Sequence, residues 1–318
     1  MRKMIVVLGM HRSGTSLVAE MVHRWGGASG GGDRLLDGDR WNARGYFEYV
    51  PLLELNDALL GAAGGSWRAP PADREAVARL CDDETFSRRA RELIAAFDCG
   101  DDPWFWKDPR LPALLPFWEK FWPDPAYIVP VREPLHIARS LAGRDALSPA
   151  AALLLWQHAM LEIMSHVGRK PQTLFVSYEE LLADPLSQGV NLCAFLDEQC
   201  GPRAGRPADM EKVTAAVDPS LDHGDRSDTI AGASVATAEQ KELHAFLERR
   251  VADRDARFDA SRYPLWPGWN EALRSFEELK RVNRIIAEKD AHTRTIRHSV
   301  SYRLGRALTK PFRLLFCR

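Results

Sequence analysis

The chain has 318 residues, 45% of them apolar, with a formal net charge of −1, enough to bury a large core and too nearly neutral for a general nucleic-acid binder. The charge is uneven: from Glu271 onward there are 12 Lys+Arg against 5 Asp+Glu, and before it 31 against 39, so any attraction to a polyanion or an anionic membrane belongs to the C-terminus. Five cysteines (Cys81, Cys99, Cys193, Cys200, Cys317) lack paired metal spacing and, being odd in number, fit a disulfide framework poorly.

The first element is a short apolar strand, Lys3–Gly9, followed by a helix over Ser13–Trp25 with Leu17, Met21 and Val22 on one face. Between them Gly9 and Gly14 keep the spacing of a phosphate loop, but Thr15 stands where the nucleotidase lysine would be, and Arg12 precedes the second glycine. Backbone N–H groups and a helix N-terminus suit a phosphate or a sulfate. Arg12 adds a guanidinium, and Ser13, Thr15 and Ser16 add hydroxyl donors. "MRKMIVVLGM" is too short an apolar run for a signal peptide, and no stretch reaches the length of a spanning helix, so the expected location is cytoplasmic.

Helices are predicted over Leu52–Leu60, Arg74–Ala96, Leu135–Ala142, Ala150–Val167 and Ser187–Leu196, and strands over Trp104–Lys107, Ala126–Val131 and Thr173–Ser177. Strands alternating with helices imply an α/β fold, a P-loop-like parallel sheet covered by helices on both faces. "RYPLWPGW" (Arg262–Trp269) marks a boundary between residues 1–261 and a helical basic extension, 262–318. Phe276, Leu279 and Ile286 form a weak coiled-coil seam in that extension, interrupted by Asn283 and Asp290. From Arg294 to Arg318 there are seven basic residues and no acidic one. Ile296, Val300, Leu304, Leu308 and Phe312 repeat every four residues there, and Pro311 is expected to kink or end the helix. Such a helix can lie in the headgroups of an anionic membrane or pack on a protein surface.

Four segments in order, "HRSGTS", "FWKDPR" (Phe105–Arg110), "YIVPVREPLHIARSL" (Tyr127–Leu141) and "LFVSYEELLADP" (Leu174–Pro185), together resemble the sulfotransferases that use 3′-phosphoadenosine-5′-phosphosulfate. The resemblance spans roughly Met4 to His223. It implies that Arg12, Ser13, Gly14, Thr15 and Ser16 hold the donor's 5′-phosphate, that Arg132 and Ser140 bind its 3′-phosphate, and that Tyr178 contacts the adenine. Lys107 resembles a lysine near the sulfuryl group in protein-tyrosine sulfotransferases. Such a donor has no triphosphate tail for a loop lysine to grip.

Where the small-molecule enzymes of that family place a histidine base, two residues after the lysine, this chain has Pro109. Glu48, in "NARGYFEYVPLLELNDALL" (Asn42–Leu60), resembles instead the acidic base of the protein-tyrosine and several bacterial members. Tyr46, Phe47 and Tyr49 could give it an apolar wall that raises its pKa. His11 and His223 are weaker candidates for the base, and His136 and His158 read as packing or surface residues. Arg12, Lys107 and Glu48 are therefore the expected catalytic set, with no metal required. A P-loop small-molecule kinase and a non-catalytic nucleotide-binding assembly protein are the competing readings. The missing lysine counts against the first, and the joint presence of Arg12, Lys107, Arg132 and Ser140 against the second. Ser299–Leu315 is similar to a tail on bacterial glycosyltransferases and on capsule or lipopolysaccharide assembly proteins. That likeness favours a surface glycan or glycolipid as acceptor over a small molecule or a peptide tyrosine.

Overall fold

A computed structural model describes residues 3–29, 34–42, 44–97, 103–201, 209–218, 228–265 and 268–275, with scattered positions up to 289. Two compact units divide the chain after Asn270. In the second, the described residues end at 289, so Phe276, Leu279, Ile286 and Arg294–Arg318 lie outside them.

Four parallel strands build the sheet of the first unit: β1 Met4–Val7, β2 Trp104–Lys107, β3 Ala126–Val131 and β4 Thr173–Ser177, in the order β2-β1-β3-β4. Val7 pairs with Lys107 on one side and Ile128 on the other, and Val131 pairs with Ser177. Every strand residue but Ser177 is buried, as a parallel sheet covered on both faces requires. Alternate side chains go to opposite faces. Ile5, Val7, Phe105, Ile128, Leu174 and Val176 pack with Val18, Val22, Leu192 and Phe195, which lie on helices α1 (Thr15–Trp25) and α9 (Pro185–Cys200). On the other face Trp104 and Trp106 stack edge-on with each other and join Phe97 and Trp118. Those two belong to α4 (Glu84–Phe97) and α5 (Leu111–Trp118).

Further helices are α2 Val50–Ala62, α3 Arg74–Arg79, α6 Pro134–Asp145, α7 Pro149–His166, α8 Tyr178–Ala183, α10 Met210–Thr214 and α11 Ala238–Ala252. The single helix expected over Arg74–Ala96 is broken at Asp83, which turns extended and accepts from the N–H groups of Thr85 and Phe86, the behaviour of an N-cap. Helix α5 escaped sequence reading because "LPALLPFW" carries prolines at 112 and 116; the first sits in the opening turn, where its missing N–H costs no bond. Helices α6 and α7 start where the sequence would place them, with Pro134 and Pro149 in their first turns and the Glu133 and Ser148 side chains accepting from Leu135 and Ala151.

The topology places the site. From β1 the chain goes to one side to form β2, then crosses to the other side for β3, so the turns leaving β1, β2 and β3 open at a switch point. Ligands of open α/β sheets bind in that crevice, outside the carboxyl ends of the strands.

Candidate active site

The loop after β1 is built by its two glycines. A side chain at Gly9 would put Cβ 2.6 Å from Ser13 Oγ, and one at Gly14 would put it 2.4 Å from the Tyr178 ring. Gly14 also has φ +93°, which only glycine adopts cheaply, and Arg12 carries the positive φ of +67°. Ser13 is turned inward: its hydroxyl donates to the Met10 carbonyl at 2.7 Å. It braces the loop, whereas Arg12, Gly14, Thr15 and Ser16 line the cleft above it.

Three strand ends converge on this loop. The Arg12 Nε donates to Ser140 Oγ at 2.7 Å and its Nη1 to the Trp41 carbonyl at 3.0 Å. The Arg132 Nη1 donates to the Arg12 carbonyl at 2.9 Å, and its guanidinium lies 4.2 Å from the centre of the Tyr178 ring. Arg12, Ser140, Arg132 and Tyr178 thus form one cluster. In it Ser140 is engaged by Arg12, a partner that sequence spacing alone did not suggest.

At the end of β2, the buried Lys107 Nζ donates to Glu48 Oε1 at 2.6 Å, with the two side chains 2% and 5% exposed. Arg110 Nη1 lies 3.8 Å from the other Glu48 oxygen and also donates to Asp108 Oδ1 at 3.1 Å. Asp108 Oδ2 accepts from Asn56 at 2.9 Å, and Asn56 in turn accepts from Trp118 Nε1 at 2.8 Å. This chain of fully used polar atoms ties the β2 turn to α2 and α5. Burial pushes the Glu48 carboxyl above its ordinary pKa; Lys107 pulls the other way, and the Asp108 carboxylate adds to the rise. Of the expected apolar wall, only Tyr46 meets the pair, its ring 5.8 Å from Lys107 Nζ. Phe47 packs toward His23 and Phe105, and Tyr49 stands edge-on to Phe97, because Phe47 takes a positive φ of +54° that turns the chain inward.

The segment before Glu48 is shaped by Asp39, whose Oδ1 accepts from the N–H groups of Trp41 and Asn42 and from the Tyr46 hydroxyl. Arg44 then crosses the cleft to the Ala216 carbonyl, Asp218 and Glu20. An open cleft with a cavity volume of about 200 Å³ lies between these walls. His136 and His158 are buried packing residues, the second against Trp269 and Glu162; His223 lies outside the described residues. Among the described residues, no group of three or more His, Cys, Asp or Glu side chains is placed to hold a metal ion, and no helix is long and apolar enough to cross a membrane.

Residues 4–201 match the profile described as "Sulfotransferase family". Among solved structures the chain is similar to the sulfotransferase domain of the Synechococcus PCC 7002 olefin synthase, at 19% identity, TM-score 0.44, over 76% of this chain and 93% of that one. It is also similar to the sulfotransferase domain from the curacin biosynthetic pathway, at 16% identity, TM-score 0.39, over 87% and 98%. A third is the sulfotransferase STF9 from Mycobacterium avium, at 18% identity, TM-score 0.38, over 81% and 78%. No curated protein matches the chain.

Proposed function

The chain belongs to the sulfotransferase family, and we propose that it moves the sulfuryl group of 3′-phosphoadenosine-5′-phosphosulfate to a hydroxyl of a surface glycan or glycolipid. The observation that carries this reading is the meeting of Arg12, Arg132, Ser140 and Tyr178 from three strand ends beside the Lys107–Glu48 pair. The loop N–H groups with Thr15 and Ser16 take the 5′-phosphate, Arg132 and Ser140 the 3′-phosphate, and Tyr178 the base.

Glu48 accepts the acceptor's hydroxyl proton as its oxygen attacks sulfur in line, and the bond from sulfur to the 5′-phosphate oxygen breaks. Catalysis of such a loose transfer is mostly positioning and electrostatics. The negative charge that grows on the departing phosphate is met by Lys107, Arg12 and the helix N-terminus. A bound donor competes with Glu48 for Lys107; once that lysine turns to the phosphate, the carboxylate loses its 2.6 Å partner and becomes a stronger base. The glycan acceptor rests on the likeness of Ser299–Leu315 to tails of glycan-assembly proteins, and a basic tail at an anionic membrane would suit lipid-linked intermediates.

Calorimetry with adenosine 3′,5′-bisphosphate and AMP tests the donor. The bisphosphate binds at least about tenfold more tightly, and Arg132→Ala removes most of that preference, since a charge-assisted contact is lost. Equal affinities in the wild type overturn the assignment.

A further inference from the structure

His11 sits between Met10 and Arg12 in the phosphate loop, and its ring is held in a socket. It packs on Trp67, ring centres 4.3 Å apart at 49°, and its Nδ1 lies 3.5 Å from Arg144 Nη2. Arg144 and Arg68 are themselves fixed by opposite oxygens of Asp145, at 2.6 and 3.1 Å. An arginine can only donate, so the lone pair of a neutral ring faces it through Nδ1 and the ring proton resides on Nε2. That Nε2 is buried and meets no hydrogen-bond partner among the described residues. A buried donor left unmade is a standing cost, and native structures keep few of them without a reason.

The surroundings identify the missing partner. Burial, then the charges of Arg110, Arg144, Lys107 and Arg68, hold the imidazole well below its ordinary pKa, so it is neutral near pH 7. Those cations come from three directions: Lys107 and Arg110 from the β2 turn, Arg144 from the end of α6, and Arg68 from beyond α2. A neutral N–H donor ringed by cations favours an oxygen that carries negative charge. His11 shares the cleft lining with Glu48, Lys107 and Pro109, the end where bond making and breaking take place.

We infer that His11 donates its Nε2–H to an oxygen of the transferring sulfuryl group and so orients that group between the departing phosphate and Glu48. The inference rests on the sulfotransferase reading above. In a loose transfer the charge grows on the leaving phosphate rather than on the sulfuryl oxygens, so a neutral donor orients the group without adding to the cationic set.

The test compares the sulfated donor with adenosine 3′,5′-bisphosphate, which lacks the sulfuryl group. In His11→Ala the affinity for the sulfated donor falls about tenfold while that for the bisphosphate stays at the wild-type value. His11→Gln, whose carboxamide keeps an N–H and more of the packing on Trp67, recovers part of the loss. Turnover falls in the same order. If both nucleotides weaken by the same factor, His11 only braces the loop and the assignment is overturned. An unchanged preference in His11→Ala overturns it as well. A wild type that binds neither nucleotide refutes the donor itself, an outcome separate from any effect of His11.

Discussion

Glu48→Gln offers the sharpest physical test of the site, because the magnitude follows from burial alone. The substitution keeps the shape and removes the charge, leaving the Lys107 ammonium 2% exposed beside a neutral amide. Breaking a buried ion pair by removing one partner typically costs about 3–5 kcal/mol. The expected loss at pH 7 is therefore about 3–5 kcal/mol, read by urea unfolding monitored by fluorescence. A second substitution, Lys107→Met, removes the orphaned charge and restores most of the lost stability. Two results refute this reasoning: a Glu48→Gln loss under about 1 kcal/mol, or a double variant no more stable than the single one.

Glu48→Gln also lowers turnover by about a hundredfold or more with donor affinity little changed, the usual scale of a general base, while Lys107→Ala reduces turnover more than affinity; near-normal turnover in Glu48→Gln would move the base elsewhere. Stability in acid should depend on His244, whose burial lowers its pKa to about 4. The neutral ring's contribution is full above the unfolded pKa of about 6.5 and is lost as pH falls from there toward 4, so His244→Gln flattens the unfolding free energy across that window. An unaltered slope would refute the shift. The full chain binds anionic vesicles at low salt and releases them at high salt, and deletion of 294–318 abolishes this while nucleotide binding persists; indifference of the full chain to such vesicles ends the membrane proposal.

The strands, the glycine loop and the order of the motifs were legible along the chain, because each depends on neighbouring residues. A short apolar run rich in β-branched and aromatic residues between turn signals reads as a covered strand, and Gly9 and Gly14 announce a tight phosphate turn. Arg12, Lys107, Arg132 and Tyr178 were legible as types at strand ends, Ser140 as a residue of the helix after β3, and Glu48 as one in the segment before α2. Their connections were not. Arg12 meets Ser140 across 128 positions and Lys107 meets Glu48 across 59, and periodicity carries no information over such separations. The parallel sheet supplies it by bringing the carboxyl ends of β1, β2 and β3 together. Ser13 turning inward, the Asp108–Asn56–Trp118 chain and the socket of His11 were likewise decided by tertiary packing. A polar atom's role depends on what remains to satisfy it once water is excluded, and only the folded arrangement decides that.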